Sequence, residues 1–306
     1  MRESITRAFS GPYGILPTPF LPDGRVDLAQ VEELAGTLCQ TDLSGLVVCG
    51  STSEFVLLTP EENKAIMTAA ARAVAGRKPL ICGATAPDAR TAKEYLAHMA
   101  GLGAAGALTA PPYYFPYGGE EVLAFYRELD RENFGVKIVA YQIPAFSSPI
   151  PLGKMEELLA LPHVAGLKNS SADIKQIMHQ LQLRDQSGRE DFAVLTGTDD
   201  ALVPCLYGGC DGSFTALAAV FPQTVCQLYR AAAQGDLAEA RRCQAKLLPI
   251  ARLADRLPFP VGYKLLSQAA GNFTTCYRQF LGPAASGEMG QLLGQMRELI
   301  ASLELR

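Results

Sequence analysis

Eight short apolar runs, each followed by a segment of helical period, constrain this 306-residue chain more than any other feature. They are Tyr13–Pro17, Gly45–Cys49, Pro79–Gly83, Gly106–Ala110, Val136–Tyr141, Val164–Lys168, Ala193–Thr196 and Gly212–Thr215. Their apolar character is nearly continuous rather than alternating, as parallel strands covered on both faces require. The segments between them open on helix-start signals. Thr59-Pro60-Glu61-Glu62 sets an N-cap, a first-turn proline and two acids at the positive end of a helix dipole. Asp27 and Asp88 precede two further helical segments, and Gly119-Glu120-Glu121 opens another. Strand then helix, eight times over, predicts an α/β protein of the closed (β/α)8 TIM barrel type; an open doubly wound sheet is the alternative.

The pattern changes near Phe221. No further strand is predicted, and helices are expected over Pro222–Gln234, Asp236–Leu257, Pro260–Ala270 and Gly287–Leu303. The expected organisation is a catalytic barrel over residues 1–220 and a C-terminal helical extension over 221–306, packed on the barrel without a flexible linker. A single barrel reaches this length.

Several function classes fall away. No apolar stretch approaches the roughly 18 residues of a membrane span. The opening MRESITRAFSGPYG lacks an apolar signal core, so a secreted protein is not expected. With 27 basic and 31 acidic residues the net charge is −4, and there is no basic run, which argues against nucleic-acid binding. Cysteines 39, 49, 82, 205, 210, 226, 243 and 276 form no CxxC pair, and the expectation is reduced thiols in a cytoplasmic protein. His98, His163 and His179 make neither HExxH nor a cluster, so no zinc site is expected. Gly101-Leu-Gly-Ala-Ala-Gly106 matches GxGxxG, but it follows a helical segment and precedes a strand, the reverse of a dinucleotide-binding turn. It reads as a helix stop. No cofactor is expected.

A barrel carries its chemistry at the C-terminal ends of its strands. The polar groups there are Gly50-Ser51-Thr52-Ser53-Glu54, Pro111-Pro112-Tyr113-Tyr114, Tyr141-Gln142-Ile143-Pro144, Lys168-Asn169-Ser170-Ser171 and Gly197-Thr198-Asp199-Asp200. Lys168 closes an apolar strand. Burial of its amine favours the neutral form, which attacks a carbonyl; the other reading is a lysine whose charge snorkels to solvent. Tyr141 lies one strand earlier, either as a proton shuttle for imine chemistry or as a core tyrosine with a satisfied hydroxyl. Gly50-Ser51-Thr52 offers backbone N–H groups and two hydroxyls, suiting a carboxylate or an ordinary capped turn.

Taken in order, GSTSE (Gly50–Glu54), PPYY (Pro111–Tyr114), YQIP (Tyr141–Pro144), GLKNSSAD (Gly166–Asp173) and TGTDD (Thr196–Asp200) resemble the motifs of the dihydrodipicolinate synthase/N-acetylneuraminate lyase family of class I, pyruvate-dependent aldolases. The resemblance runs from Pro17–Phe20 to the helical tail. It implies that Lys168 is the Schiff-base lysine and that Tyr141 relays protons and orients the substrate carboxylate. It further implies that Ser51 and Thr52 grip the pyruvate carboxylate, with Thr52 also passing protons. Tyr114 matches a tyrosine that reaches into a neighbouring subunit's site, and the family is usually a homotetramer. Asp199 and Asp200 match an acidic pair that holds sugar hydroxyls, and Ser170 and Gly197 match further lyase contacts.

Four departures bear on specificity. Ser53 stands where the family has glycine, so a positive φ there would strain the turn. Gln142 replaces the usual asparagine. Phe146 occupies the position of the arginine that, in the synthases, holds the carboxylate of aspartate semialdehyde; a phenylalanine cannot. Ala216 stands where the lyases use a serine. The expected activity is a cofactor-free lyase that cleaves or forms a 2-oxo acid from pyruvate and an aldehyde, the substrate being a 2-keto-3-deoxy sugar acid or an N-acetylneuraminate-like relative. Dihydrodipicolinate synthase and a non-catalytic 2-oxo-acid-binding barrel are the alternatives.

Overall fold

A computed structural model of the chain describes residues 9–273 and 275–305. The first eight residues of the run read against a signal peptide lie outside the described residues. The strands are β1 (Gly11–Ile15), β2 (Gly45–Val48), β3 (Leu80–Gly83), β4 (Gly106–Thr109), β5 (Lys137–Gln142), β6 (Val164–Asn169), β7 (Ala193–Thr196) and β8 (Gly212–Thr215). They are hydrogen-bonded in chain order as a closed barrel. Pairing is parallel in β1–β2 and from β3 through β8. The open-sheet alternative is thereby set aside.

Three strands differ from the sequence reading for backbone reasons. β1 begins and ends two residues early. Gly11 N–H donates to Asp211 O at 2.9 Å, whereas Pro17 has no N–H to give a ladder. β5 and β6 each run one residue further, to Gln142 and Asn169, and their carbonyls accept from Ser170 N and Gly197 N, both at 2.8 Å. Tyr141 and Lys168 are therefore next to last in their strands, held on both sides by ladder bonds.

The helices among the described residues are α1 (Leu28–Leu38), α2 (Pro60–Val74), α3 (Ala89–Gly101), α4 (Gly119–Arg131), α5 (Met155–Leu159), α6 (Ile174–Ser187), α7 (Leu202–Tyr207), α8 (Ala216–Val220), α9 (Pro222–Ala233), α10 (Leu237–Ala254), α11 (Val261–Ala269) and α12 (Pro283–Leu303). Asp27, Asp88, Asp173 and Asp236 cap their helices by accepting from an N–H three residues on. Thr59 and Glu62 form a reciprocal capping box. α12 starts at Pro283, four residues before the predicted start, because proline tolerates the first helical position, where its missing N–H has no partner to lose. The GxGxxG match ends α3 at Gly101 and turns through Gly103 at φ +67 into β4, as a helix stop does. No helix of the described residues is long and apolar enough to cross a membrane.

Contacts divide the chain into two compact units. One holds Ile81–Phe214 with the described residues through Gly11. Its strands are buried along their length except for exposed Lys137, and Arg184 of α6 meets Asp211 at 2.8 Å with both side chains nearly sealed from solvent. The Asp211 carboxylate also accepts from Val194 N at 2.8 Å, tying β7 to the segment leading into β8. The other unit holds Pro12–Leu80 and the chain from Thr215 onward. There Gly45 leaves room for the Tyr13 ring, which a Cβ would approach to 2.2 Å.

Candidate active site

Lys168 and Tyr141 are brought together. They are register partners on β6 and β5, and paired residues of parallel neighbours project to one face. Lys168 Nζ lies 4.1 Å from the centroid of the Tyr141 ring, within the distance at which a ring face attracts an amine in its charged form. Both side chains are buried, Lys168 at 2% exposure. The snorkelling alternative for Lys168 is thereby excluded. Tyr141 is anchored through its backbone as well: its N–H donates to the Tyr126 hydroxyl at 3.3 Å, and that hydroxyl donates to Thr109 O at 2.8 Å. Burial holds the Tyr126 phenol well above its ordinary pKa, so it stays protonated.

Gly197 and Ser170 border the lysine. A Cβ built on Gly197 would stand 1.9 Å from Ser170 Oγ and 2.5 Å from Lys168 Cε. The glycine is therefore required for space. Ser170 Oγ is buried without a hydrogen-bond partner, which in a native structure calls for a reason such as a ligand. Asp199 is buried at the head of a short 3₁₀ turn and Asp200 is half-buried beside it. Tyr114 and Phe146, unlike this group, are exposed: Tyr114 is 89% exposed with φ +80, stacked edge-on against Phe115 at 5.0 Å, and Phe146 is 55% exposed.

The Gly50–Glu54 turn lies in the second unit. Thr52 is buried and Ser51 half-buried. Ser53 does not carry the positive φ that its replacement of glycine made a concern; Cys49 (φ +56) and Glu54 (φ +60) do. The Ser53 hydroxyl donates to Leu16 O at 2.5 Å and accepts from Gly50 N at 3.2 Å, while its carbonyl accepts from the Thr18 hydroxyl at 2.6 Å. The side chain that departs from the pattern thus braces the turn.

Sequence reasoning missed the partner of Glu54. Lys264 of α11 lies 2.6 Å from Glu54 Oε2 and 3.9 Å from the Phe20 ring centroid. Burial pulls the Lys264 amine down to about 8, against the opposing pull of Glu54, and burial pushes the Glu54 carboxyl up. A signal was present, because Lys264 sits in the Val261, Lys264, Leu265 stripe that faces the core. Gln176 and Gln180, which hold the ends of β5 and β6, were also missed; amides on a helix carry no such signal. Among the described residues, no group of three or more His, Cys, Asp or Glu side chains is placed to hold a metal ion.

A closed eight-stranded barrel with a buried lysine beside a tyrosine near the strand ends fits a carbon–carbon lyase of the class I aldolase type, the class to which the family match assigns the chain. The profile of the dihydrodipicolinate synthetase family matches residues 8–296, and the chain belongs to that family. A DapA-like lyase of Thermofilum pendens is 33% identical over 266 residues, covering 85% of this chain and 87% of the relative. The 4-hydroxy-tetrahydrodipicolinate synthase of Methanoculleus marisnigri is 31% identical over 268 residues, covering 84% and 90%. The crystal structure of dihydrodipicolinate synthase from Thermotoga maritima superposes with a TM-score of 0.89 at 25% identity, covering 98% of this chain and all of that one.

Proposed function

We propose that the protein cleaves, or forms, a 2-oxo acid from pyruvate and a neutral, hydroxylated aldehyde, through an imine on Lys168. The observation that carries this is Lys168 Nζ held over the Tyr141 ring in a buried setting. The neutral amine adds to the C2 ketone. The carbinolamine loses its hydroxyl as water, and the protonated imine becomes an electron sink. Tyr141, with Thr52 or Ser51, takes the C4 hydroxyl proton. The C3–C4 pair flows into the imine, and the aldehyde leaves. The enamine is protonated at C3, and water releases pyruvate and regenerates the amine. Ser51 and Thr52 hold the pyruvate carboxylate. The unpartnered Ser170 hydroxyl, with Asp199 and Asp200, supplies acceptors for diol protons, and Gly197 keeps the space open.

The substrate is a 2-keto-3-deoxy sugar acid or an N-acetylneuraminate-like acid. Phe146 offers no cation for a second carboxylate. The relative named 4-hydroxy-tetrahydrodipicolinate synthase favours a second reading, condensation with aspartate semialdehyde. We further propose residues 1–220 as the catalytic barrel and 221–306 as a helical extension packed on it, a cytoplasmic location, and a homotetramer in which Tyr114 reaches a neighbouring site.

Incubation with pyruvate and borohydride followed by mass mapping tests the imine: an adduct on Lys168 is expected, and its absence would leave a binding protein. Release of pyruvate from 2-keto-3-deoxy acids separates the aldolase from the synthase. Tyr141→Phe should lose most turnover yet still trap the adduct slowly; full turnover would remove its proton-relay role.

A further inference from the structure

The strands that carry Tyr141 and Lys168 both end in an amide. Gln142 and Asn169 are register partners, and alternation along a strand turns them to the opposite face from Tyr141 and Lys168. There they meet α6. Gln176 Oε1 accepts from Gln142 Nε2 at 3.2 Å and from Asn169 Nδ2 at 2.9 Å. Gln180, one turn further along the helix, accepts the second Asn169 amide proton at 2.9 Å. Asn169 Oδ1 in turn accepts from Ser171 N at 2.8 Å and from the Ser171 hydroxyl at 2.6 Å. Gln142 Oε1 accepts from Ile150 N at 2.6 Å.

The orientation of each amide is fixed by this arrangement. Turning over the Asn169 side chain would set its NH₂ against the Ser171 N–H and its oxygen against two acceptors. Gln142, Asn169 and Gln180 are sealed from solvent at 1%, 0% and 1% exposure, where an unpaired amide is costly. Gln176 itself is fixed at the start of α6, its N–H donating to the capping Asp173 carboxylate at 3.0 Å. One oxygen thus bridges two strands at the residues directly after the tyrosine and the lysine.

We infer that Gln176 is a positioning residue: by joining Gln142 to Asn169 it sets how Lys168 lies over Tyr141. Its place in the reaction rests on the imine reading of Lys168. The placement of Lys168 over Tyr141 does not depend on it. An apolar group at 176 strands one N–H on each of the two amides and frees the ends of β5 and β6 to shift. Reacting groups misplaced by about 1 Å lose on the order of a hundredfold in rate.

Two variants separate the bridge from simple packing. Gln176→Met keeps the shape and removes the acceptor; Gln176→Glu keeps the acceptor. Borohydride trapping of pyruvate on Lys168 should slow roughly 10- to 100-fold in Gln176→Met and by less than about threefold in Gln176→Glu. In a Tyr141→Phe background Gln176→Met should cost little more, because the hydroxyl that the bridge aligns with the amine is already gone. A second readout needs no turnover. Reductive ¹³C-methylation places a probe on Lys168 Nζ, assigned by its loss in Lys168→Arg, and the Tyr141 ring face shifts that signal upfield. The signal should move toward the free-lysine position in Gln176→Met and stay in Gln176→Glu.

An unmoved signal with a wild-type trapping rate in Gln176→Met overturns the inference. So does an undiminished loss in the Tyr141→Phe background with the signal in place, which would mark a structural role alone. If the wild type traps no adduct, the imine reading fails and the methyl signal still decides the positioning. Should Gln176→Met not fold, Gln176→Ala, which lets water satisfy both amides while leaving them untied, gives the same comparison.

Discussion

Glu54 and Lys264 form an ion pair with no exposure to solvent on either side chain, 210 residues apart in sequence and 2.6 Å apart in space. The pair links the residue after the Ser51–Ser53 hydroxyl turn to α11. Glu54 Oε1 has no hydrogen-bond partner, so the carboxylate depends on Lys264 for compensation. Lys264→Met should therefore leave a buried carboxylate uncompensated and cost about 3 to 5 kcal/mol. The double variant Glu54→Gln/Lys264→Met should recover most of that loss. Urea titrations of the three proteins check it, and a double variant as unstable as the single would refute the pairing.

Gly197→Ala should cut turnover about 10- to 100-fold while costing no more than about 3 kcal/mol of stability. The added methyl meets Ser170 Oγ and Lys168 Cε, not backbone, so the lysine yields before the fold does. Steady-state rates beside a thermal melt decide the matter.

Phe146→Arg should raise kcat/KM for an aldehyde bearing a carboxylate by about 10- to 100-fold relative to a neutral polyol aldehyde, the worth of a hydrogen bond to a charged group. Phe146 is half exposed and can be exchanged without a cavity. Competition between the two aldehydes in the condensation direction measures it, and an unchanged ratio would show that residue 146 does not face the aldehyde.

Stability should fall as pH rises above 9. Burial pushes the Cys82 thiol and the Tyr13 phenol up to about 12, and the Cys226 thiol up to about 11. Each is raised above its unfolded value. Between the unfolded and folded values the unfolded chain has lost a proton that the folded one keeps, so each group can remove about 1.4 kcal/mol per pH unit there. Lys264, lowered to about 8, works in the opposite sense from pH 8 to its unfolded value near 10.5. Urea midpoints from pH 9 to 11 should decline, and less steeply in Cys82→Ala; a flat profile in the wild type would contradict the assignment.

The strands were legible because parallel strands covered on both faces leave apolar runs, and the helices because Asp27, Thr59 and Asp88 cap them as they read. Lys168 was conspicuous as a charge closing such a run. Its surroundings were not. Ser53 is an ordinary turn residue until its hydroxyl is seen bridging Gly50 and Leu16. Gln176 looks like any helix-surface amide, since what it touches depends on how β5 and β6 are registered. Glu54 could be read as part of a motif, but only the folded chain supplies the lysine that answers it.

The parity of β6 gives that strand an unforgiving grammar. One residue inserted between Gly166 and Lys168, where the register with β5 runs regularly, would exchange the tasks of its last two side chains, swinging the amine outward among the glutamines and offering the chemistry a mute amide. At that end of the strand change has to proceed by replacement rather than by changes of length.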